Sequence, residues 1–400
     1  MTPASRTALG PMLRAEAQID LDAIRSSVAV LRARAGAASL MAVVKADGYG
    51  HGAVPAARAA LDAGATWLGV AYLEEAQQLR GAGLEAPILL LAEPAPDVVA
   101  DAVALGVDVA VGTAASLDAA ATCGSGARVH LKVDTGLSRG GSRAEGWPAL
   151  CAAAAAAQST GGLTVIGVWS HLACADEPTH PSIERQVADF RDALEVASSY
   201  GLHPELRHLA SSGGILARPD THFDLVRAGI SLYGISPGPA VGSAAELGLR
   251  PAMRLRARVA LTKRVPAGTG VSYGHRHVTT HETTLALVPL GYADGVPRAA
   301  AGVAEVLLGG RRRVIAGTVC MDQFLVEVDD DRVAAGDEVV IFGPGDDGEP
   351  TADEWARSMA TIGYEVVTRI GARVPRVYVG EGSLVPFGEG SLVPFGEGSP

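Results

Sequence analysis

The stretch "SLMAVVKADGYGHGA", Ser39 to Ala53, decides how the rest of the chain is read. Its apolar run, rich in β-formers, stops at Lys45 and is followed by Gly48, Gly50 and Gly52. A short apolar run closed by turn residues reads as a buried strand, and the Ala-rich segment after it, "AVPAARAALDAG", reads as a helix. Together they make one βα unit that ends its strand on a lysine.

Seven more runs of the same kind follow: "WLGVA", "PILLLA", "DVAVG", "RVHLKVDTG", "VIGVWSHLA", "LRHLASS" and "LVRAGISLYG". Helical segments such as "YLEEAQQLRGAG" and "IERQVADFRDALEVASSYG" separate them. Eight βα units predict an α/β chain whose N-terminal part is a TIM (β/α)8 barrel. Past the Gly/Pro/Ala-rich connector "ISPGPAVGSAAELGLRP" the texture changes to β-runs without long helices, and a mostly β C-terminal domain is expected. We place the barrel over 14–245 and the β-rich domain over 251–380. Within the latter, "TADEWARSMATIG" is expected to be a helix capped by Thr351. An eight-residue unit repeats over 381–400 and reads as a disordered tail.

With 400 residues, 48% hydrophobic and 19% charged, the chain can bury two real cores. The net charge of −11 argues against nucleic acid, and the run Arg311 to Arg313 is too short to bind it alone. Cys123, Cys151, Cys174 and Cys320 lie far apart with no paired spacing, so neither a disulfide framework nor a zinc knuckle is suggested. Neither an export signal nor a membrane span is visible, and a cytoplasmic protein acting on a small molecule is expected.

Barrel enzymes carry their chemistry at the C-terminal strand ends. Those positions hold Lys45, then Lys132, Asp134 and Arg139, then His171, Ser211 and Ser212, and Arg227 with Gly229. A lone lysine there would ordinarily be a snorkelling side chain on the rim. Partly desolvated, however, its amine is a nucleophile able to form a Schiff base.

"AVVKADGYGHGA" resembles the pyridoxal-phosphate lysine motif of alanine racemases. "HLKVDTGLSRGG", "SHLACADE", "HLASSGGIL", "DLVRAGISLYGISP", "VSYGH", "PLGYADGVPR", "AGTVCMDQ" and "GYEVVTRIGARVPRVY" resemble that family in the same order, over roughly Arg14 to Val379. The resemblance implies pyridoxal 5'-phosphate as cofactor, interconversion of L- and D-alanine for peptidoglycan, first residues that pair into the β domain, and a head-to-tail homodimer.

Racemisation removes the Cα proton from one face and returns it on the other, so two acid/base groups must oppose each other. By resemblance Lys45 holds the cofactor and serves one face. Tyr273, contributed across the dimer interface, serves the other. Tyr49, Tyr364, Ser212, Gly229 and Ile230 match the phosphate contacts. Arg227 matches the arginine facing the pyridine nitrogen, and His171 the histidine that supports it. An arginine keeps its proton, so the ring nitrogen stays unprotonated and transamination is suppressed. Arg139, Met321 and Tyr292 match substrate-side residues, and Lys132 a lysine that is often carbamylated. Ser211, where Asn is common, and Leu137 and Ser138, where Met-Gly is frequent, depart from the family pattern without removing a required group.

Rival readings are a metal-dependent barrel hydrolase, prompted by His275, His277 and His281, a related decarboxylase, and a pyridoxal-phosphate carrier without turnover. The histidines fall beyond the barrel, the decarboxylase cysteine motif is missing, and a carrier needs no second domain. No metal is expected. Racemases of serine, lysine or ornithine differ from those of alanine mainly in pocket size, worth about 1–3 kcal/mol per methylene.

Overall fold

The computed structural model describes residues 14–124 and 126–380. The repetitive tail expected over 381–400 lies outside the described residues.

The described residues open with strand β1 (Ala15–Asp20), which passes directly into the helix Leu21–Ala35. Asp20 caps that helix, its carboxylate accepting from Asp22 N at 2.9 Å and Ala23 N at 3.1 Å. Ile24, Val28, Leu31 and Ala35 recur at helical spacing and are buried.

Eight parallel strands then follow: β2 (Ser39–Val43), β3 (Trp67–Val70), β4 (Ile88–Leu90), β5 (Asp108–Val111), β6 (Ala127–Lys132), β7 (Leu163–Trp169), β8 (Leu206–His208) and β9 (Leu225–Ala228). Each overlaps one of the eight runs read from the sequence. They form one sheet with β2 beside β9 and β8 at the far end. The seam between β8 and β9 is bridged by Asp224 N donating to Arg207 O at 3.0 Å and Arg227 N to Ala210 O at 3.1 Å. The sheet thereby curls into a nearly closed (β/α)8 barrel, as the alternation of runs predicts.

The remaining strands are β10 (Met253–Arg258), β11 (Leu261–Val265), β12 (Gly270–Val271), β13 (His277–Val278), β14 (Thr283–Val288), β15 (Glu305–Leu308), β16 (Arg311–Ala316), β17 (Phe324–Asp329), β18 (Glu338–Phe342) and β19 (Arg376–Val379). All but β12 and β13 join a nine-stranded sheet, in which β1 lies between β10 and β19. It runs antiparallel to β10 and parallel to β19. Strands β12 and β13 pair as a separate hairpin whose tip is the 3-10 turn Tyr273–His275.

The helix expected after Thr351 runs only from Ala352 to Ser358, with a reciprocal cap: Glu354 N donates to Thr351 Oγ1 at 3.2 Å and Thr351 N to Glu354 Oε2 at 2.7 Å. A second short helix, Gly363–Thr368, carries Tyr364. It packs against the loop after β2, so closely that a Cβ on Gly50 would clash with Val367 O. Arg376 of β19 donates to Gly50 O at 3.0 Å. These contacts seat the β-rich domain on the barrel's upper rim. Among the described residues no helix is long and apolar enough to cross a membrane.

Candidate active site

Lys45 follows β2 after a single residue, and the chain then turns the wrong way for L-amino acids. Ala46, Asp47, Gly48 and Tyr49 have φ of 52°, 51°, 61° and 53°. Left-handed backbone costs about 1–2 kcal/mol per non-glycine residue, so the surroundings must hold it. Ala46 N donates to Glu75 Oε1 at 2.6 Å, Gly48 N to Val44 O at 2.8 Å and Ala53 N to Asp47 Oδ1 at 2.9 Å. Glu75 Oε2 accepts from Ala71 N at 2.7 Å, clamping the loops after β2 and β3 together. The turn places Lys45 and Tyr49 on the wall of a cavity of about 860 Å³ at the barrel mouth.

That cavity is rich in positive charge. Burial, and then the charge of Arg139, lower the Lys45 pKa against a smaller opposing pull from Glu75. Lys132, buried at the end of β6, is brought down to about 8 by desolvation and by Arg139 and Arg227. Its Nζ lies 4.4 Å from the centroid of the Trp169 ring, and the Arg227 guanidinium 4.9 Å from the same centroid. Burial pulls Arg227 to about 9, so it still carries its charge at neutral pH. Its Nη2 donates to Ser170 O at 2.8 Å and reaches His171 Nδ1 at 3.0 Å. Burial and the surrounding cations hold His171 well below its ordinary pKa, so it is neutral and accepts that bond.

On the opposite wall lies a corner of small donors. Ser212 Oγ accepts from Gly229 N at 3.0 Å and sits beside Tyr49, Tyr364 and Ile230, which also line the cavity. Burial pushes Tyr49 up to about 12 and raises Tyr364 further, so both keep their hydroxyl protons for donation.

Beneath Arg227 the barrel interior is polar. Arg227 Nη1 donates to His208 Nδ1 at 3.1 Å, His208 Nε2 to His130 Nδ1 at 2.9 Å, and His130 Nε2 to Asp108 Oδ2 at 3.3 Å. Because the arginine can only donate, each histidine is fixed as the neutral Nε2–H form. Burial lowers both imidazole pKa values, consistent with that state. Trp169 stacks on His208 with ring centroids 5.5 Å apart. Sequence reasoning missed Glu75, Asp108, His130, Trp169 and His208. The signal was a histidine at an inward strand position in "RVHLK" and "LRHLA", where a parallel strand otherwise runs apolar.

The cavity thus brings together Lys45, Tyr49, Lys132, Arg139, His171, Ser212, Arg227, Gly229, Ile230 and Tyr364. It does not include Tyr273, Met321 or Tyr292 of the same chain. Tyr273 and Met321 line a separate pocket of about 330 Å³ on the β-rich domain. Thr318 Oγ1 donates to Tyr273 O at 2.8 Å, and Tyr292 N to Cys320 O at 3.0 Å, so the three residues share one surface. Tyr273 is 74% exposed.

Models of the alanine racemase N-terminal domain and C-terminal domain match residues 19–237 and 252–378. The chain belongs to the alanine racemase family. The alanine racemase of Frankia casuarinae is 60% identical over 374 residues, 92% of this chain and 97% of that protein. The solved alanine racemase of Streptomyces coelicolor superposes with a TM-score of 0.90 at 53% identity, covering 93% of this chain and 99% of that one. That of Streptomyces lavendulae gives 0.89, also at 53%, covering 93% and 98%.

The alanine racemase cofactor, pyridoxal 5'-phosphate, fits these residues. A Cβ on Gly229 would lie 2.7 Å from Tyr49 Oη, so glycine alone keeps open the space beside the Ser212, Tyr49 and Tyr364 hydroxyls that a phosphate needs. A lysine of lowered pKa and a charged arginine stand on the other walls, matching the needs of the aldehyde and the ring nitrogen.

Proposed function

We propose that the barrel mouth interconverts L- and D-alanine, with pyridoxal 5'-phosphate held between Lys45, the Tyr49, Ser212, Gly229, Ile230 and Tyr364 corner, and Arg227. The observation that carries this reading is the Lys45 amine, held in a cation-rich cavity by a left-handed turn and lowered in pKa by burial and Arg139. When bound, pyridoxal phosphate draws electrons from Cα and makes its proton labile.

Lys45 Nζ takes or returns that proton on one face. The Tyr273 hydroxyl does so on the other, and it comes from a second copy of the chain, because Tyr273 is exposed and lines a pocket apart from its own barrel mouth. A homodimer is then required for turnover, with Met321 and Tyr292 travelling on the same surface to the substrate side. Arg227 would stand at the ring nitrogen and, keeping its own proton, would leave the ring unprotonated. His171 accepts from Arg227 and fixes its direction. Arg139 faces the substrate carboxylate, and Lys132, once carbamylated, would supply the negative charge that holds Arg139 there. The D-alanine formed serves peptidoglycan synthesis. A cytoplasmic setting suits Cys151, Cys174 and Cys320, none of which forms a disulfide.

Chiral chromatography of L-alanine, L-serine, L-lysine and L-ornithine incubated with the cofactor-loaded protein tests the reading. Alanine should approach an equal mixture fastest, and Lys45→Ala should abolish conversion. Faster conversion of serine, lysine or ornithine would transfer the proposal to that substrate. If borohydride fixed the cofactor on Lys45 yet no amino acid were converted, the protein would be a carrier.

A further inference from the structure

The run "HRHVTTH" takes no part in the barrel mouth. We propose that its last histidine, His281, forms with Glu327 and Asp329 a divalent-metal site on the β-rich domain, with zinc the best-fitting ion and His277 as an outer support. His281 Nε2 and one carboxylate oxygen from each of Glu327 and Asp329 lie within 4.8 Å of one another. Tetrahedral zinc, with nitrogen and oxygen ligands at about 2.0–2.2 Å, brings such atoms to about 3.3 Å apart, so small side-chain shifts close the set. His281 Nε2 and Asp329 Oδ1 already stand 2.9 Å apart.

A separate observation points to a ligand. Glu327 Oε1 is buried with no hydrogen-bond partner, while Oε2 is held by His277 Nε2 at 2.7 Å. One oxygen is therefore engaged and the other has no partner. The second nitrogen of His281, Nδ1, lies 3.1 Å from Thr280 Oγ1, a hydroxyl able to accept from it once Nε2 turns to a metal. Imidazole with carboxylates favours zinc over magnesium or calcium. Two guanidinium groups border the site: Arg264 pairs with Glu282 and Asp330 and donates to Asp329 O at 3.0 Å, and Arg313 pairs with Asp331 and, at 3.8 Å, with Asp329 Oδ2, the carboxylate oxygen that does not face His281. The first histidine of the neighbouring "YGH", His275, packs over Gly270 and is not a ligand.

The site has a consequence for Tyr273. His281 follows β13, while Glu327 and Asp329 belong to β17, so an ion there ties the base of the Tyr273 hairpin to the main sheet. The effect on turnover rests on the role proposed for Tyr273; the binding does not.

The cofactor-loaded protein, freed of metal by a chelator, should be titrated calorimetrically with zinc chloride and with magnesium chloride. Zinc should bind saturably, one ion per chain, and magnesium should not. His281→Ala and the isosteric Asp329→Asn should each weaken zinc binding by about tenfold to a hundredfold. Amide exchange over 270–281 should slow when zinc is added. Lys45→Ala, inactive under the proposed function, should bind zinc like the parent, which separates failure of this proposal from failure of the catalytic one. Absence of saturable zinc binding, magnesium binding as tight as zinc, or parent-like affinity in both site variants would overturn the assignment.

Discussion

His130 Nδ1 lies 2.9 Å from His208 Nε2 inside the barrel. The pair transmits a direction: Asp108 accepts from His130, which accepts from His208, which accepts from Arg227. Every donor in the series is fixed by the one above it and every acceptor by the one below. Asp108→Leu removes the terminal acceptor and strands a buried N–H, which should cost about 1–3 kcal/mol in urea unfolding. If the series also aims Arg227, kcat should fall about tenfold or more while KM for alanine stays near the parent value. Lost stability with an unchanged kcat would make the series structural only.

Acid should weaken the fold. His51, His130 and His208 are fully buried and their pKa values are lowered, His51 to about 4. In the unfolded chain they bind protons below about pH 6.5, whereas in the folded chain they do not, so stability is lost as pH falls through that value. Three such groups give a slope approaching about 4 kcal/mol per pH unit once fully engaged. Urea midpoints measured from pH 7 to pH 5 read this directly, and a flat profile would contradict the neutral assignment.

Tyr273 and Lys45 should complement across chains. Lys45→Ala and Tyr273→Ala, each inactive alone, should recover up to about a quarter of parent racemase activity when mixed and allowed to exchange subunits in a two-fold dimer. Mixtures that stay inactive despite exchange would place the tyrosine in its own barrel.

Gly229→Ala should act on the cofactor and leave the fold in place. The added methyl meets Tyr49 Oη at 2.7 Å, inside van der Waals contact, in a strand end that is otherwise well supported. The dissociation constant for pyridoxal phosphate, read from its absorbance, should rise about tenfold or more, equivalent to at least ~1.4 kcal/mol, with little change in the unfolding midpoint.

Lys132 should take up carbon dioxide. With its amine at about 8, a large share is neutral near that pH, and the neutral amine adds carbon dioxide at Nζ with loss of a proton to give a carbamate. Isotope-labelled bicarbonate should enter the parent more as pH rises from 6 to 8, and should not enter Lys132→Ala. Removing bicarbonate should lower activity if the carbamate positions Arg139.

The barrel was legible because short, largely apolar runs alternate with longer Ala-rich helical segments, so alternation survives errors at individual boundaries. Lys45 was legible because the motif around it resembles the pyridoxal-phosphate lysine of alanine racemases, which outweighs the ordinary reading of a lone rim lysine. The left-handed turn after it was not: Gly48 advertises it, but Ala46, Asp47 and Tyr49 adopt the same conformation only because Val44, Glu75 and the backbone of Ala53 hold them there. His130 and His208 were illegible singly, since each looks like one polar residue in a core. Only the barrel's closure sets them side by side.

Strand β1 has a consequence for synthesis. Its partners, β10 and β19, begin at Met253 and Arg376, so β1 stays without them while more than half of the chain is made. At about 5–20 residues per second, that wait is roughly ten to fifty seconds before β10 emerges. The barrel strands are all complete by then, whereas Tyr364 and β19 arrive last, completing the wall of the barrel-mouth cavity and the edge of the sheet. A nascent chain released early would therefore carry a lysine-bearing barrel whose mouth lacks the Tyr364 wall, and under the proposed function acquiring the last segment is the event that completes the phosphate corner.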